Sequence, residues 1–478
     1  AEELDISGTS ITSRSAKTTI TDSDNNGIGL GATASTNGLD VSVAELTKIT
    51  GADVEFVSAG NIDVNGLTAA STATISGTLI LDSAADVNFV TGASTTTNGL
   101  TVEADNQVDI DVAITTNAGN LSIDGDADNA ADTNDKVDIA TGLTLTTAGL
   151  MTLDATTGGI AGVVLTLNAK EGVTITDALT TTGALTVNAD TDADDNTGTF
   201  TTGGAVSAGS NAISITANDV VLGSTLSSGG AKTTITDSDS TDGVGLGATT
   251  VSNGLNLSGT ELQNITSTGF EIATGGTVTV NGITAANSNN LSGTTTLDAT
   301  GIITFATGAS IFNTLAVESD GGVAVNIGLS TDTGNLTIDG DIDNGTAGAV
   351  NFATGVTVAS EGSLTLDGTT GGLVGAGTLD LDAKTGITLN DNLTTAGTTD
   401  INADSDGTGG VGTLTLAAGK TLSTTNNILT ITAEDLDISG TSITSGSAKT
   451  TITDSDNNGI GVGATASTNG ADVRVAEL

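Results

Sequence analysis

The 478-residue chain has no proline, cysteine, histidine, tryptophan or tyrosine, one methionine and seven phenylalanines. Without cysteine it forms no disulfides. Without histidine or cysteine it also lacks the commonest general base and the thiol nucleophile. Compact cores usually rely on aromatic side chains, because these bury the most area per residue. Here valine, isoleucine, leucine and alanine must fill most of the interior, which predicts a thin core.

Positive charge is also scarce, since 10 lysines and arginines face 57 aspartates and glutamates, for a net charge of −47. Nucleic-acid binding needs basic patches, so we expect no nucleic-acid partner. No apolar run approaches the ~20 residues that span a bilayer, so we expect no membrane insertion. A disordered chain is the competing interpretation, but 36% of the residues are hydrophobic and many are β-branched, which favours a folded protein.

The sequence repeats itself on two scales. Residues 1–46 recur at 433–478 with five differences, and AKTTITDSD occurs at 16–24, 231–239 and 448–456. Half-repeats of about 215 residues therefore build a 432-residue repeat. The resulting domain prediction has four parts: the end of a preceding repeat at 1–15, half-repeat A at 16–230, half-repeat B at 231–447, and the start of the next repeat at 448–478.

Within each half, apolar and polar residues alternate over short stretches such as LDVSV, LTVEA, VTITD and LTVNA. This period of two is typical of strands with one buried face, and glycine, asparagine and aspartate clusters between them supply turns. No stretch keeps a helical period. The pattern predicts an all-β, rod-like β-solenoid with essentially no α-helix.

In such a solenoid a coil takes roughly 20 residues and rises about 4.8 Å, so one 432-residue repeat is about 100 Å long. An array of β-sandwiches is the alternative, but sandwiches usually bury aromatic residues that long tracts of this chain lack. The absence of proline also favours the solenoid, because the backbone N–H groups of central strands must donate to neighbours.

Stretches such as GSLTLDGTTGGLVGAGTLDLDAKTGITLNDNLTTAG at 362–397 resemble the rungs of filamentous-haemagglutinin-type exoproteins, which are large secreted bacterial adhesins and surface proteins. The resemblance covers nearly the whole chain as a style of repeat. It implies a right-handed parallel β-helix and an extracellular or cell-surface location. It transfers no individual site residue, because few positions are fixed.

Acidic turns are the candidate metal sites. DSDNNG has the D-x-[DN]-x-[DN]-G order of calcium loops, in which alternate oxygens converge on one ion. Thr33 replaces the glutamate of an EF-hand loop, and flanking helices are not predicted. Solvated turn residues are the competing interpretation, with no cofactor at all. The predicted Ca²⁺ ligands are Asp22, Asp24, Asn26, Asp190, Asp192, Asp194, Asp237, Asp239, Asp454, Asp456 and Asn458.

We expect no enzymatic activity. Carbohydrate-active β-helices usually add aromatic or basic residues to their carboxylates, and this chain has two arginines and no tryptophan or tyrosine. The sequence instead predicts a structural segment of a very long acidic extracellular solenoid that forms a filament, sheath or surface fibre. Such a segment would associate with itself, end to end and laterally. The alternative is the stalk of a large secreted adhesin.

Overall fold

The computed structural model describes residues 4–32, 38–131, 134–193, 196–239, 241–345, 348–408, 410–456, 458–462 and 472–473. These residues are mainly short β-strands joined by tight turns. The chain divides into two compact units, Ala1–Ser238 and Asp239–Leu478. Among the described residues, no helix is long and apolar enough to cross a membrane.

Each unit coils through three parallel sheets, here called face 1, face 2 and face 3 in chain order. One coil of the first unit runs through Leu100–Ala104 on face 1, Gln107–Ile110 on face 2 and Ile114–Thr116 on face 3. The chain then returns to face 1 as Leu121–Asp124, which pairs in parallel and in register with Leu100–Ala104. The predicted all-β solenoid is thus confirmed as a parallel three-faced coil.

The described residues of the first unit form 28 strands, of which 26 belong to the three faces. Face 1 comprises Thr18–Thr21, Val54–Ser58, Leu79–Ser83, Leu100–Ala104, Leu121–Asp124, Met151–Asp154, Gly172–Ile175, Thr199–Thr202 and Asp219–Leu222. Face 2 comprises Ile28–Gly31, Leu39–Ser42, Ile62–Asn65, Asp86–Phe89, Gln107–Ile110, Lys136–Ile139, Ile160–Gly162, Leu179–Thr181, Val206–Ser207 and Leu226–Ser227. Face 3 comprises Ser94–Thr96, Ile114–Thr116, Leu143–Thr147, Leu165–Ala169, Leu185–Asn188, Ile213–Ala217 and Lys232–Asp237. A separate parallel pair joins Ile11–Thr12 to Ile49–Thr50.

The second unit repeats this plan. Face 1 comprises Gly269–Thr274, Thr295–Ala299, Leu315–Ser319, Leu336–Asp339, Leu364–Asp367, Ile387–Leu389, Thr413–Leu416 and Asp435–Ile438. Face 2 comprises Val244–Gly247, Leu255–Leu257, Val278–Asn281, Ile303–Phe305, Val323–Val325, Val350–Phe352, Leu373–Gly375, Leu393–Thr395, Thr421–Ser423 and Ser442–Thr444. Face 3 comprises Ser310–Phe312, Leu329–Thr331, Val356–Ser360, Leu379–Ala383, Thr399–Asn402, Leu429–Ala433 and Thr450–Asp454. Ile265–Thr266 is a further short strand, and Gly461–Val462 pairs with Asp472–Val473.

Among the described residues, two helices of about one turn interrupt the early coils of each unit, at Val43–Leu46 and Ala69–Thr72 in the first and at Gly259–Asn264 and Ala285–Ser288 in the second. The first and third begin 216 residues apart, as do the second and fourth. Ser42 caps the first helix by accepting from the Glu45 amide, and the Glu45 carboxylate accepts from the Ser42 amide in return. The same reciprocal cap recurs at Ser258 and Glu261. The helices and their caps therefore recur at about the spacing of the half-repeat.

The core is a set of columns of buried side chains, one layer per coil. Strand residues alternate between buried and partly exposed, as in Leu100–Ala104, because successive side chains point to opposite sides of a strand. All seven phenylalanines are at most 1% exposed. Burying one such side chain contributes about 1.5–3 kcal/mol, so a few phenylalanines supplement the predicted aliphatic core.

Buried hydroxyls occupy many strand ends. Thr116 and Thr147 lie on adjacent coils of face 3, and their Oγ1 atoms are 2.7 Å apart. The Thr147 hydroxyl also donates to the carbonyl of Gly119 over 2.9 Å. In the second unit Thr331 donates similarly to Ser360 over 3.2 Å. Hydroxyls at these strand ends therefore form hydrogen bonds between adjacent coils without breaking the columns.

Candidate functional site

The first predicted calcium loop is closed by its own hydrogen bonds. Asp22 is buried, and its carboxylate accepts from the amides of Gly27 over 3.0 Å and Asp24 over 3.4 Å. Burial raises the pKa of Asp22, but these backbone amides and the contact with Asp24 leave it below its ordinary value. Asp24 and Asn26 are exposed, and the Asn26 amide donates to Asp24 over 3.4 Å. The Asp22 carboxylate thus serves as a turn cap in this copy.

Two predicted residues of the first unit, Asp190 and Asp237, lie where face 3 turns back into face 1. Asp190 is buried there, and the hydroxyl of Ser238 donates to its Oδ2 over 2.6 Å. Asp237 is also buried, at the end of Lys232–Asp237. Asn218 occupies the corresponding turn on the intervening coil and is buried. The structure therefore brings Asp190 and the 237–238 turn together, although they are far apart in sequence.

Other predicted ligands have different partners. Asp192 forms an ion pair with Lys170, with Nζ and Oδ2 3.1 Å apart. Asp239 caps the next turn by accepting from the amide and hydroxyl of Thr241 over 2.9 and 2.8 Å. Asp194 lies outside the described residues. Asp192 and Asp239 therefore stabilise the turns in which they lie.

The corresponding corner of the second unit is more acidic. We call its five residues the seam cluster, and they are Asp404, Asp406, Glu434, Asp454 and Asp456. They come from three successive coils, because Asp404 follows the strand Thr399–Asn402, Glu434 follows Leu429–Ala433, and Asp456 follows Thr450–Asp454. Where Asn218 stands in the first unit, 216 residues earlier, the second unit has Glu434.

Several oxygens of the seam cluster are buried without a hydrogen-bond partner among the described residues: Oδ1 of Asp404, Oε2 of Glu434, Oδ1 of Asp454 and Oδ1 of Asp456. Asp404 is only 2% exposed and Asp454 only 7%. Their other oxygens are occupied, since Ser455 donates to Asp404 over 2.5 Å and the Gly459 amide donates to Asp454 over 2.7 Å. A buried carboxylate oxygen without a donor is unfavourable, so this corner is electrostatically incomplete.

Mutual repulsion within the seam cluster is visible in its proton affinity. Burial raises the pKa of Glu434, and the negative charges of Asp456 and Asp404 raise it further. Burial also raises the pKa of Asp404, with Asp456 and Asp406 adding to the effect. In the described part of the chain, no three aspartates or glutamates are already grouped at metal-binding distances. The carboxylates therefore converge on one corner but stop short of a common point.

Asp454, Asp456 and Asn458 are among the ligands predicted from the sequence, whereas Asp404, Asp406 and Glu434 are not. Asn458 is exposed. A sequence signal was present, because Glu434 is the single residue between the strands Leu429–Ala433 and Asp435–Ile438 and must lie at a corner. Its meeting with Asp404 depends on how the coils stack, which a local motif does not reveal.

Other buried aspartates tie one coil to the next. Asp126 is fully buried, and the amide and hydroxyl of Thr157 on the next coil each donate to its Oδ2 over 2.8 Å. Asp341 has the same place in the second unit, where it accepts from the Thr370 amide over 2.9 Å and the Gly345 amide over 2.9 Å. Much of the buried negative charge is therefore structural.

A row of carboxylates runs along the outer side of face 1 in each unit, and we call it the carboxylate ladder. In the first unit Asp82, Glu103, Asp124 and Asp154 stand opposite one another on consecutive coils. In the second unit the register aligns Asp298, Glu318, Asp339 and Asp367. Adjacent coils are ~4.8 Å apart, so like charges are held close.

The ladder changes the protonation of its members. Burial raises the pKa of Asp82, Glu103 and Asp124, and neighbouring carboxylates add to this. Burial, a hydrogen bond with Asp177 and the charge of Asp124 raise the pKa of Asp154 to about 7. The ladder was not predicted from the sequence, although an acid recurs at one outward strand position in LILDS, LTVEA, LSID and MTLD.

Comparison of the chain with protein-family models, curated proteins and solved structures gave no match. The resemblance to filamentous-haemagglutinin-type proteins therefore rests on the style of repeat alone.

Proposed function

We propose that this chain is a structural repeat segment of a very long acidic β-solenoid that forms an extracellular filament, sheath or surface fibre. Two properties support the proposal. The segment 1–46 recurs at 433–478, where the next 432-residue repeat begins, and the outer surface of the first unit is suited to side-by-side packing. No catalytic role is assigned.

The single observation that carries the proposal concerns the two copies of TTITD. In the first copy, Thr18–Thr21 pairs with Val54–Val57 of the following coil. In the second copy, Thr450–Asp454 pairs with Leu429–Ala433 of the preceding coil. Together the copies present one segment with a parallel neighbour on each side. This pairing supports the proposal that the segment is an interior coil of a continuing solenoid.

A row of uncharged hydroxyl residues on face 3 of the first unit supports lateral packing. It consists of Thr144, Thr166, Thr186, Ser214 and Thr234, which the register aligns on consecutive coils. We call this row the threonine strip. A second solenoid can contact it without burying charge, although the chain as a whole carries −47. The same face of the second unit instead has Asp380 and Asp400 in its outer row.

The proposal is tested by the assembly of the 478-residue chain at increasing concentration in physiological salt, followed by analytical ultracentrifugation and negative-stain electron microscopy. We expect laterally ordered fibres or sheets. The variant Thr186→Lys, on the threonine strip, should reduce lateral association, whereas Thr430→Lys on the corresponding face of the second unit should not.

Single particles at every concentration would contradict the filament proposal. They would favour the stalk of a large adhesin, in which the solenoid only holds a binding domain away from the cell. Equal loss of assembly in both variants would show that the threonine strip is not the contact surface.

A further inference from the structure

We propose that Asn253 is a site of spontaneous modification, at which the asparagine side chain converts to aspartate and isoaspartate without an enzyme. An asparagine followed by glycine favours this reaction, because glycine has no side chain to hinder its backbone nitrogen. The structure describes seven such asparagines: Asn26, Asn65, Asn98, Asn253, Asn281, Asn344 and Asn458. Hydrogen bonding and exposure single out Asn253 among them.

The reaction needs only the chain and water. The backbone nitrogen of the glycine loses its proton and attacks Cγ of the preceding asparagine. A new C–N bond closes a succinimide ring, and the side-chain nitrogen takes up a proton and leaves as ammonia. Water then opens the ring at either carbonyl and gives aspartate or isoaspartate. An asparagine therefore reacts fastest where its side chain is exposed and the next N–H group is not held by an acceptor.

Five of the seven glycine N–H groups are already bound. Two of them, in Gly66 and Gly282, donate to backbone carbonyls of the next coil over 3.0 and 3.1 Å. The other three donate to carboxylates: Gly27 to Asp22 over 3.0 Å, Gly345 to Asp341 over 2.9 Å and Gly459 to Asp454 over 2.7 Å. A carboxylate holds the N–H proton and also repels the anion that its loss creates. The structure therefore protects the five asparagines that precede these glycines.

The two remaining pairs differ in exposure. Neither Gly99 nor Gly254 has an acceptor for its N–H group among the described residues. Asn98 is half-buried, and its side-chain amide donates to the carbonyl of Ile75 over 2.7 Å, which holds Cγ in place. Asn253 is exposed. Within the described part of the chain, it is thus the one exposed asparagine that precedes a glycine with an unbound N–H group.

The loop around Asn253 explains why the following glycine has no acceptor. The loop joins two strands that pair side by side on face 2, Val244–Gly247 and Leu255–Leu257, so the glycine lies in a bend outside the strand ladder. Asn253 has a backbone φ of 64°, which is also outside the strand conformation. Asn256 braces the loop by accepting from the Val251 amide over 2.7 Å. This brace holds the loop without using the glycine N–H group.

The modification changes both the charge and the backbone at this position. Aspartate and isoaspartate each replace a neutral amide with a carboxylate, and isoaspartate also adds a methylene group to the main chain. Among the described strands, Leu255–Leu257 lies at the edge of its sheet and pairs with Val244–Gly247 on one side. We therefore expect isoaspartate to loosen this edge strand. Neither consequence depends on filament assembly.

The test is a time course of the folded 478-residue chain at neutral pH and physiological temperature. Digestion with pepsin at low pH, where the ring closes slowly, followed by mass spectrometry measures conversion at each asparagine that precedes a glycine. We expect Asn253 to react about tenfold faster than the protected asparagines, because each bound N–H group must first lose its hydrogen bond. The chain unfolded in urea is the control, in which these asparagines should react at similar rates.

A matched variant tests the cause of the difference. Asp22→Ala removes the acceptor of the Gly27 N–H group, so Asn26 should react faster and approach the rate of Asn253. The rate at Asn253 should stay as it is in the parent chain. Circular dichroism confirms that the variant is folded.

Three results would overturn the proposal. In the first, Asn253 reacts no faster than Asn26, Asn65 and Asn281 in the folded chain. In the second, the ranking of rates is the same in urea, which would show that the local sequence sets it. In the third, Asn26 reacts at an unchanged rate in Asp22→Ala, which would show that hydrogen bonding of the glycine N–H group gives no protection.

Discussion

The hydroxyl of Ser455 donates to the carboxylate of Asp404 over 2.5 Å, although 51 positions separate the two residues in the chain. Ser238 and Asp190 form the same bond over 2.6 Å in the first unit. In both bonds the aspartate lies in a turn that follows a face 3 strand, and the serine lies in a copy of AKTTITDSD, near the beginning of the next half-repeat. The seam of the solenoid is therefore fastened by specific side chains as well as by strand pairing.

Ser455→Ala should lower the free energy of unfolding by about 1.5–3 kcal/mol, because it removes a hydrogen bond to a charged, buried carboxylate. Urea denaturation in calcium-free buffer measures the change. Ser238→Ala should have a similar effect, and the double variant should be additive within about 0.5 kcal/mol, since the sites share no partner. A change below about 0.5 kcal/mol in both single variants would show that strand pairing alone holds the seam.

Phe305→Ala should destabilise the protein by about 3–5 kcal/mol, because a fully buried ring leaves a cavity between stacked coils. Ile302, three residues earlier in the same turn of chain, is 47% exposed. Ile302→Ala should therefore change the free energy of unfolding by no more than about 0.5 kcal/mol. Similar losses in the two variants, measured by urea denaturation, would contradict the columnar core described above.

Stability should increase as the pH falls from about 7 towards about 4. The pKa of Asp154 is raised from 3.8 to about 7, so in this range the folded state binds more protons than the unfolded state. The raised pKa values of Asp82, Glu103 and Asp124 act in the same direction. Melting temperatures across this pH range measure the effect.

The matched variants separate the ladder from general charge effects. Asp154→Asn should flatten the pH dependence and raise stability near neutral pH, because it removes the repelling charge. Asp332→Asn removes one charge at an exposed turn and should leave the slope nearly as it was. A parent chain whose melting temperature rises from pH 4 to pH 7 would contradict the ladder's proposed effect.

The sequence predicts which strand residues are buried better than it predicts the structure of the segments between the strands. Alternation in LTVEA is enough to place Leu100, Val102 and Ala104 inside, because side chains of a strand alternate by geometry. The helix Val43–Leu46 was not predicted, although Ser42 and Glu45 have the spacing of a capping box. One turn is too short to show a helical period.

The candidate site was only partly predictable for a related reason. The calcium-loop motif predicts equivalent roles for Asp22 and Asp454, since their local sequences are the same. In the structure Asp22 has donors for both oxygens, whereas Oδ1 of Asp454 has none among the described residues. The difference comes from neighbouring coils, which bring Asp404 and Glu434 to one copy. These contacts depend on which residues of successive coils lie next to each other. Because the number of residues per coil varies, sequence spacing alone does not predict them.

Cryo-electron microscopy of a chain in which residues 1–432 are repeated in tandem tests most directly whether the solenoid continues from one repeat to the next. We expect one uninterrupted stack of coils, with a ~4.8 Å rise that continues through each junction between repeats and an axial repeat of about 100 Å. Separate compact bodies joined by irregular linkers at the seams would contradict it.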